Sequence, residues 1–196
     1  MANGFDVDLP PGTLDRARTG ERAALEAIYR LFEPAVYSLT RRMCGDADAA
    51  KDLTQDCFLR AFGSLQQFRG EAPFGRWLRA IAATEALMHL RSGRRFVELF
   101  EEQVIDEGAP TVEEATNADL ERALGLLPAL PRAVLWLYHV EGYTHAEIAQ
   151  MGRKTVSFSK SQLSRAHQKL RQLLGENPNA GLNTTTLTTK LEVART

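Results

Sequence analysis

Residues 128–174, near the C-terminal end, restrict the fold of this chain most, because they have the order of a helix-turn-helix. They contain an apolar helix pattern, a short capped helix, a turn and a cationic amphipathic helix. Thr144-His145-Ala146-Glu147 fits a capping box, in which the threonine hydroxyl accepts from the glutamate N–H and the glutamate reaches back to the cap. Gly152 follows Met151 and predicts a helix stop where only glycine is unstrained.

The segment after this turn carries positive charge without compensating acids. Arg153–Arg171 contains six lysines and arginines and no Asp or Glu, although the net charge of the whole chain is only −1. Positive charge concentrated on one helix beside a turn is typical of proteins that bind the phosphate backbone. The sequence therefore predicts a helix-turn-helix that binds DNA.

The rest of the chain predicts further helices and no strands, since sustained alternation and hairpin turns are missing. Residues 1–12 contain two glycines and two prolines and are expected to form a loose arm. A helical pattern follows from Thr13 to Arg95, with predicted breaks at Gly20, Pro34, Gly45, Gly70 and Pro73. The predicted fold class is all-α, with two small helical domains joined by a flexible linker and a C-terminal helix-turn-helix.

The linker is acidic. Residues 97–121 hold nine Asp and Glu and no Lys or Arg, with Gly108-Ala109-Pro110 in the middle. This composition favours a solvated spacer. An alternative is that the acidic linker occupies a nucleic-acid groove until DNA displaces it. The predicted boundaries are 13–95 for the first domain, 96–116 for the linker, 117–175 for the second domain, and 176–196 for a polar, threonine-rich tail expected to be disordered.

In the first domain, a predicted helix over 49–65 has two contrasting faces. Ala50, Leu53, Cys57, Ala61 and Leu65 recur at helical spacing and define its buried face. The opposite face combines acidic and polar residues with one leucine, an arrangement that suits docking on another protein. The members of this candidate docking face are Asp52, Gln55, Asp56 and Leu59.

Residues 68–95 mix cations with aromatic residues. The segment has six arginines against two acids, interleaved with Phe68, Phe74 and Trp77. Guanidinium groups bind phosphates in a bidentate manner and aromatic rings stack on unpaired bases. The pattern predicts binding of single-stranded or distorted DNA, while some of the rings are expected in the core.

Several function classes are disfavoured. No nucleophile–base pairing, glycine-rich phosphate loop or metal-ligand spacing is visible, and His89, His139, His145 and His167 are scattered along the sequence. An enzyme, a metal site and a cofactor are therefore not expected. Cys44 and Cys57 are interpreted as small buried hydrophobic residues. Neither a signal peptide nor a membrane span is predicted, so a cytoplasmic location is expected.

Taken together, the two domains resemble a bacterial sigma factor of the extracytoplasmic-function (ECF) type, which keeps only regions 2 and 4 of larger sigma factors. LEAIYRLFEPAVYSLTRRMCGD is similar to region 2.1, DLTQDCFLRAF to region 2.2, and FRGEAPFGRWLRAIA with LRSGRR to regions 2.3 and 2.4. LERALGLLPALPRAVLWLYHVEGYTHAEIA and SQLSRAHQKLRQLL are similar to region 4. About three quarters of the chain is covered, with the motifs in the family order.

The resemblance implies a role for each region. The docking face would bind the clamp helices of the largest subunit of core RNA polymerase. Region 2 would read and melt the minus-ten promoter element, with Arg69, Arg76, Trp77, Arg79, Arg91, Arg94 and Arg95 as DNA-binding candidates. A recognition helix near 157–173 would enter the major groove at the minus-thirty-five element. Its DNA-binding candidates are Ser159, Lys160, Ser161, Gln162 and Arg165.

One departure from the family pattern concerns regulation. The family has Asp-Ala-Glu-Asp before the leucine of region 2.2, and here the same positions read Ala49-Ala50-Lys51-Asp52. Weaker docking of the unmodified chain is expected if the missing carboxylates pair with polymerase. Similar sigma factors without this tetrad are linked to Ser/Thr protein kinases, and phosphorylation of Thr54 would restore negative charge. By helical angle, however, Thr54 lies in the buried stripe.

Two other functions stay open at this point. One is a stand-alone helix-turn-helix regulator with an N-terminal regulatory domain, which would bind duplex DNA alone, as a dimer. The other is a helical signalling adaptor that binds only proteins. Control of the sigma activity by an anti-sigma factor is also open.

Overall fold

Residues 4–93 and 117–174 are described by the computed structural model, and all regular structure within these ranges is helical. The chain divides into two compact units, residues 1–86 and 87–196. The helices are α1 (Thr13–Arg18), α2 (Arg22–Cys44), α3 (Ala47–Gly63), α4 (Phe74–Gly93), α5 (Asn117–Gly125), α6 (Ala129–His139), α7 (His145–Met151) and α8 (Val156–Leu173), with a 3-10 turn over Leu65–Gln67. The predicted all-α class is confirmed.

The core of the first unit is the pairing of α2 with α3. All five residues predicted for the inner face of the 49–65 helix are buried. They pack against the apolar face of α2, where Ile28, Phe32 and Val36 are fully buried. Asp46 is the N-cap of α3, because its carboxylate accepts from the Ala49 N–H at 2.8 Å.

The predicted helix break at Pro34 is wrong, because α2 continues through this residue as one helix of 23 residues. A proline inside a helix removes one backbone hydrogen bond and costs about 3 kcal/mol. Phe32 and Val36, on either side of Pro34, are both completely buried. Burial of the Phe32 and Val36 face of α2 along α3 offsets the cost of the proline, so tertiary packing keeps α2 continuous.

The expectation of a loose N-terminal arm is wrong for Gly4 and Phe5, whereas residues 6–12 are almost all exposed. Phe5 is only 4% exposed. Its carbonyl oxygen approaches α4 so closely that a Cβ added at Gly75 would lie 1.9 Å from it. Gly4 in turn lies against the Ala35 side chain. The start of the arm is therefore packed on the first unit, and Gly75 is required by this close approach.

Both cysteines are buried and free, as expected. Burial, reinforced by the Glu85 carboxylate, raises the pKa of the Cys57 thiol to about 12. This thiol is therefore protonated at neutral pH.

In the second unit, α6 is the central element and packs against α7 and α8. Every residue from Leu130 to Leu137 is buried, which explains why the sequence is apolar around the whole helix. Arg132 is buried among them, and its Nη1 donates to the carbonyl oxygens of Gly125 at 3.2 Å and Leu127 at 3.4 Å. The guanidinium therefore satisfies carbonyls left open at the end of α5.

Candidate nucleic-acid and protein interfaces

The candidate docking face lies on the solvent side of α3. Asp52, Gln55, Asp56 and Leu59 are all exposed. Leu59 is 71% exposed, more than any other large apolar residue in the described part of the chain. A leucine this exposed, one helical turn from Asp56 and two turns from Asp52, offers an apolar contact to a binding partner.

Ala49 and Lys51, where the resemblance leads us to expect carboxylates, lie beside this face. Lys51 is exposed, and its Nζ lies 3.1 Å from the Asp48 carboxylate. The hydrogen bond to Asp48 and the charge of that carboxylate raise the pKa of Lys51. Ala50 is buried against α2, so only positions 49 and 51 could carry carboxylates outward.

Thr54, the candidate phosphorylation site, is on the inner face of α3 and only 3% exposed. Its hydroxyl donates to the Ala50 carbonyl at 2.7 Å and lies 3.3 Å from the Thr40 hydroxyl on α2. The buried position inferred from the helical pattern is confirmed. The Thr54 hydroxyl is therefore inaccessible to a kinase while α2 and α3 are packed.

The aromatic residues of the 68–77 segment form a cluster rather than an open stacking surface. The ring centroids of Phe68, Phe74 and Trp77 lie 5.2–5.5 Å from one another. Phe68 and Phe74 are buried, and Trp77 is half-buried. Trp77 is thus the member of the cluster that can contact a base.

The arginines predicted to bind DNA have different environments. Arg69 and Arg76 are exposed, and Arg79 is half-buried. Arg91 donates from Nη1 to the Gly152 carbonyl at 3.1 Å, so part of its donor capacity is already used. Arg94 and Arg95 lie outside the described residues, as do the 96–116 linker and the 176–196 tail.

A hydrogen-bonded support holds the loop before α4, and the sequence did not reveal it. The Arg18 guanidinium donates to the Phe68 carbonyl at 2.5 Å and to the Leu65 carbonyl at 3.4 Å. In the other direction, the Gln66 side-chain amide donates to the Arg18 carbonyl at 3.0 Å. The α1 helix therefore fixes the backbone from which Arg69 projects.

In the helix-turn-helix, the predicted capping box is confirmed. Thr144 Oγ1 accepts from the Glu147 N–H at 3.3 Å, and the Glu147 carboxylate accepts from the Thr144 N–H at 2.8 Å. Hydrogen bonds from the Thr144 hydroxyl and N–H lower the pKa of Glu147. The first helix of the motif therefore begins where the sequence placed it.

The turn that follows differs from the expected one. Gly152 has a right-handed φ of −77°, and Arg153 takes the left-handed conformation with φ 48°. The Lys154 N–H donates to the Ala149 carbonyl at 2.8 Å and the Arg153 N–H to the Gln150 carbonyl at 3.1 Å. These bonds form a Schellman motif whose left-handed position, usually glycine, is Arg153. Gly152 stands one residue before the left-handed position, so it does not relieve the strain of a positive φ at Arg153.

Two predicted DNA contacts of α8 need correction. Ser159 is fully buried and Gln162 is only 2% exposed, because both face the interior of the second unit. Ser159 Oγ lies 3.0 Å from His145 Nδ1 on α7. The other three candidates, Lys160, Ser161 and Arg165, are exposed and can reach DNA.

Three histidines that are scattered in the sequence come together in this unit. The Nε2 atoms of His139 and His167 lie 3.0 Å apart, and His145 stacks on Tyr138 with ring centroids 4.6 Å apart. Burial lowers the pKa of His139 and His145. Burial, then the charges of His139 and Arg171, lower the pKa of His167 to about 4. The histidines are therefore uncharged at neutral pH.

Residues 4–93 and 117–174 contain neither a cluster of metal-ligating side chains nor a helix that could cross a membrane. No three His, Cys, Asp or Glu side chains are arranged there to hold a metal ion. None of the helices in these ranges combines the length and apolarity that a membrane crossing requires.

Comparison with known proteins gave consistent matches over both units. The family model of Sigma-70 region 2 matches residues 28–96, and that of Sigma-70, region 4 matches residues 117–170. The chain is 33% identical to the ECF RNA polymerase sigma factor SigE of Mycolicibacterium smegmatis, covering 87% of this chain and 70% of that protein. It is 29% identical to the ECF RNA polymerase sigma factor SigM of Mycobacterium tuberculosis, covering 84% and 83%.

Among solved structures, the fold is similar to that of the sigma factor RpoE from Bartonella quintana, determined in complex with the anti-sigma factor NepR. The TM-score is 0.50 at 23% identity, over 76% of this chain and 96% of that one.

Proposed function

We propose that this chain, which belongs to the ECF group of the sigma-70 family, binds core RNA polymerase and directs it to promoter DNA. The observation that carries the proposal is that regions 2 and 4 occur in order on one chain. Each has its own binding surface: the docking face on α3 and the cationic α8 helix. The chain supplies recognition, and the chemistry of RNA synthesis belongs to the polymerase.

In this proposal the docking face contacts the clamp helices of the largest polymerase subunit. Leu59 provides the apolar contact, since it is 71% exposed on the free chain. Asp52 and Asp56 precede it by two turns and one turn of α3 and are available to pair with basic residues of the partner. Such a centre of apolar surface with charged neighbours is typical of specific protein interfaces.

The DNA-binding surfaces are proposed in the same way. Arg69, Arg76 and Trp77 project near the loop that Arg18 holds, where an unstacked base of the minus-ten element could be bound. Lys160, Ser161 and Arg165 lie along the exposed side of α8 and would contact the minus-thirty-five element. Lysine and arginine supply phosphate and base contacts there.

Each of the two alternative functions leaves one of the two proposed binding surfaces without a role. A stand-alone regulator would have no use for the exposed Leu59 beside Asp56, and a protein-only adaptor would have none for the cationic side of α8. The sigma function uses both.

We further propose that the unmodified chain binds polymerase weakly because Ala49 and Lys51 replace two carboxylates. Losing one partner of a desolvated charge pair costs about 2–5 kcal/mol, and each 1.4 kcal/mol is about tenfold in affinity. Phosphorylation by a Ser/Thr kinase would add close to two negative charges. Since the Thr54 hydroxyl is buried and hydrogen-bonded, its modification requires α3 to separate locally from α2.

The test measures the affinity of core polymerase for the unmodified chain and for an Ala49→Asp, Lys51→Glu variant. We expect at least tenfold tighter binding for the variant. Ala23→Asp with Arg30→Glu makes the same charge change at exposed positions of α2 and should not improve binding. Equal affinity of all three chains would refute the charge argument and favour control by an anti-sigma factor. Lack of binding by every chain would refute the sigma function.

A separate test addresses the acceptor residue. Thr54→Ala should abolish kinase-dependent promoter activity in cells, whereas Thr40→Val, which disturbs the same hydrogen bonds, should leave it largely intact. Unchanged activity of the Thr54 variant would assign the modification to another residue.

A further inference from the structure

A cavity of about 360 Å³ opens beside α7 and α8 in the second unit. Its polar lining consists of His145, Lys160, Ser164, His167, Gln168 and Arg171, and Leu163 is its apolar member. Cavities of this size are large enough for a small ligand. The described residues of the lining are two cations, two imidazoles, a hydroxyl, an amide and a leucine, and none of them is acidic.

The geometry of α8 produces this lining. Lys160, Ser164, His167 and Arg171 follow one another at intervals of four, three and four residues, so they lie in one stripe along the helix. Ser161 and Arg165, which are proposed to face DNA bases, are offset to one side of this stripe. The cavity stripe therefore lies beside Ser161 and Arg165, shares Lys160 with the proposed DNA-binding side of α8, and includes His145 of α7.

His145 is held in place at the cavity. Its Nδ1 lies 3.0 Å from Ser159 Oγ, and its ring stacks on Tyr138 at 4.6 Å with an interplanar angle of 20°. His167 is held likewise by the contact of its Nε2 with His139. Both imidazoles thus line the cavity in fixed orientations, which reduces the entropy lost when a ligand binds.

We propose that this cavity binds a phosphate-bearing ligand, with Lys160 and Arg171 supplying the charge and His145 and His167 supplying ring hydrogen bonds. The inference rests on the proposed function in one respect, since the sugar-phosphate backbone of promoter DNA is one source of such a ligand. A free polyphosphate is the other source. Lys160 and Arg171 are eleven residues apart, about 16 Å along the helix axis, so a ligand with more than one phosphate can reach both ends.

The electrostatics of the cavity agree with an anion as its ligand. The Lys160 charge contributes to lowering the pKa of His145, and the Arg171 charge contributes to lowering that of His167. A bound anion would relieve both repulsions and raise both pKa values, because a nearby negative charge favours the protonated imidazole. Among the residues that the structure describes, Lys160, Arg171, His145 and His167 are the titratable groups of the lining, and His139 contacts His167 from α6.

The experiment titrates the four histidines of the full chain by NMR, with and without inorganic tripolyphosphate, and needs neither polymerase nor promoter. We expect tripolyphosphate to raise the pKa of His145 and His167. Lys160→Gln should weaken tripolyphosphate binding at least tenfold. Arg165→Gln removes an equal charge from the same helix outside the cavity and should change binding less than twofold.

A second arm identifies the source of the phosphate. If promoter backbone occupies the cavity, tripolyphosphate displaces a labelled minus-thirty-five duplex, and Lys160→Gln lowers the salt dependence of DNA binding by about one unit of slope. If tripolyphosphate binds without displacing the duplex, the cavity serves a free phosphorylated ligand. Unmoved histidine resonances, or equal losses in Lys160→Gln and Arg165→Gln, would overturn the proposal by showing only diffuse surface charge.

Discussion

Replacing Gly75 with alanine sets two effects of opposite sign against each other. Gly75 is the second residue of α4, and alanine is favoured over glycine inside helices by up to about 1 kcal/mol. Helix propensity alone therefore predicts a more stable protein. The structure predicts the reverse, because the new Cβ would lie 1.9 Å from the Phe5 carbonyl oxygen and 3.0 Å from Phe32 Cε1.

The magnitude follows from what must move. Phe32 is fixed in the core, so the N-terminal arm has to lift and expose Phe5, which is 4% exposed in the folded chain. Burying a phenylalanine side chain contributes about 1.5–3 kcal/mol. Subtracting a helix gain of about 1 kcal/mol leaves a net loss of about 0.5–2 kcal/mol for Gly75→Ala.

Urea denaturation followed by Trp77 fluorescence measures this change. A Trp136→Phe background leaves Trp77 as the only tryptophan, because the chain has two. Phe5→Ala should destabilise the first unit at least as much as Gly75→Ala. Both act through release of the arm, so the double variant should lose no more than the larger single loss. A stabilised Gly75→Ala protein, or strictly additive losses, would refute the packing argument.

Three other predictions concern the loop, the histidines and the capping box. Arg18→Gln should speed hydrogen exchange at the Phe68 amide, because the loop loses its guanidinium support, and unchanged exchange would show that α1 does not hold the loop. The pKa of His167 is about 4 in the folded chain, so as the pH falls below about 6.5 the unfolded chain binds a proton that the folded chain does not. The folded state therefore loses stability between about pH 6.5 and pH 4. His167→Gln should make the urea midpoint depend less on pH in this range. Thr144→Ala should cost the second unit about 0.5–2 kcal/mol in urea denaturation by removing the cap at Glu147, whereas Thr144→Ser should retain most of it.

Features encoded within a few residues were predictable from the sequence. The capping box depends only on Thr144 and Glu147, and the structure contains both of its hydrogen bonds. The two faces of α3 follow from helical spacing, which placed Leu59 outside and Thr54 inside. Such features need no knowledge of how distant segments pack.

Features that depend on tertiary contacts were missed. Ser159 and Gln162 lie in a cationic helix that reads as a DNA-binding surface, but packing turns both inward. His139 and His167 are separated by 28 residues and meet only because α6 packs on α8. Phe5 looked like part of a loose arm since nothing nearby in the sequence shows that it would reach Gly75.

The inert cysteines have a practical consequence for studying this protein. Thiol-reactive dyes attack the exposed thiolate, and both Cys44 and Cys57 are buried, with the Cys57 thiol protonated well above neutral pH. Ser157→Cys exchanges one atom at the exposed start of α8 and would provide a selectively reactive thiol without removing either native cysteine. A single fluorophore could then be attached beside the DNA-binding surface of an otherwise unmodified core, and the arrival of promoter DNA could be followed in real time.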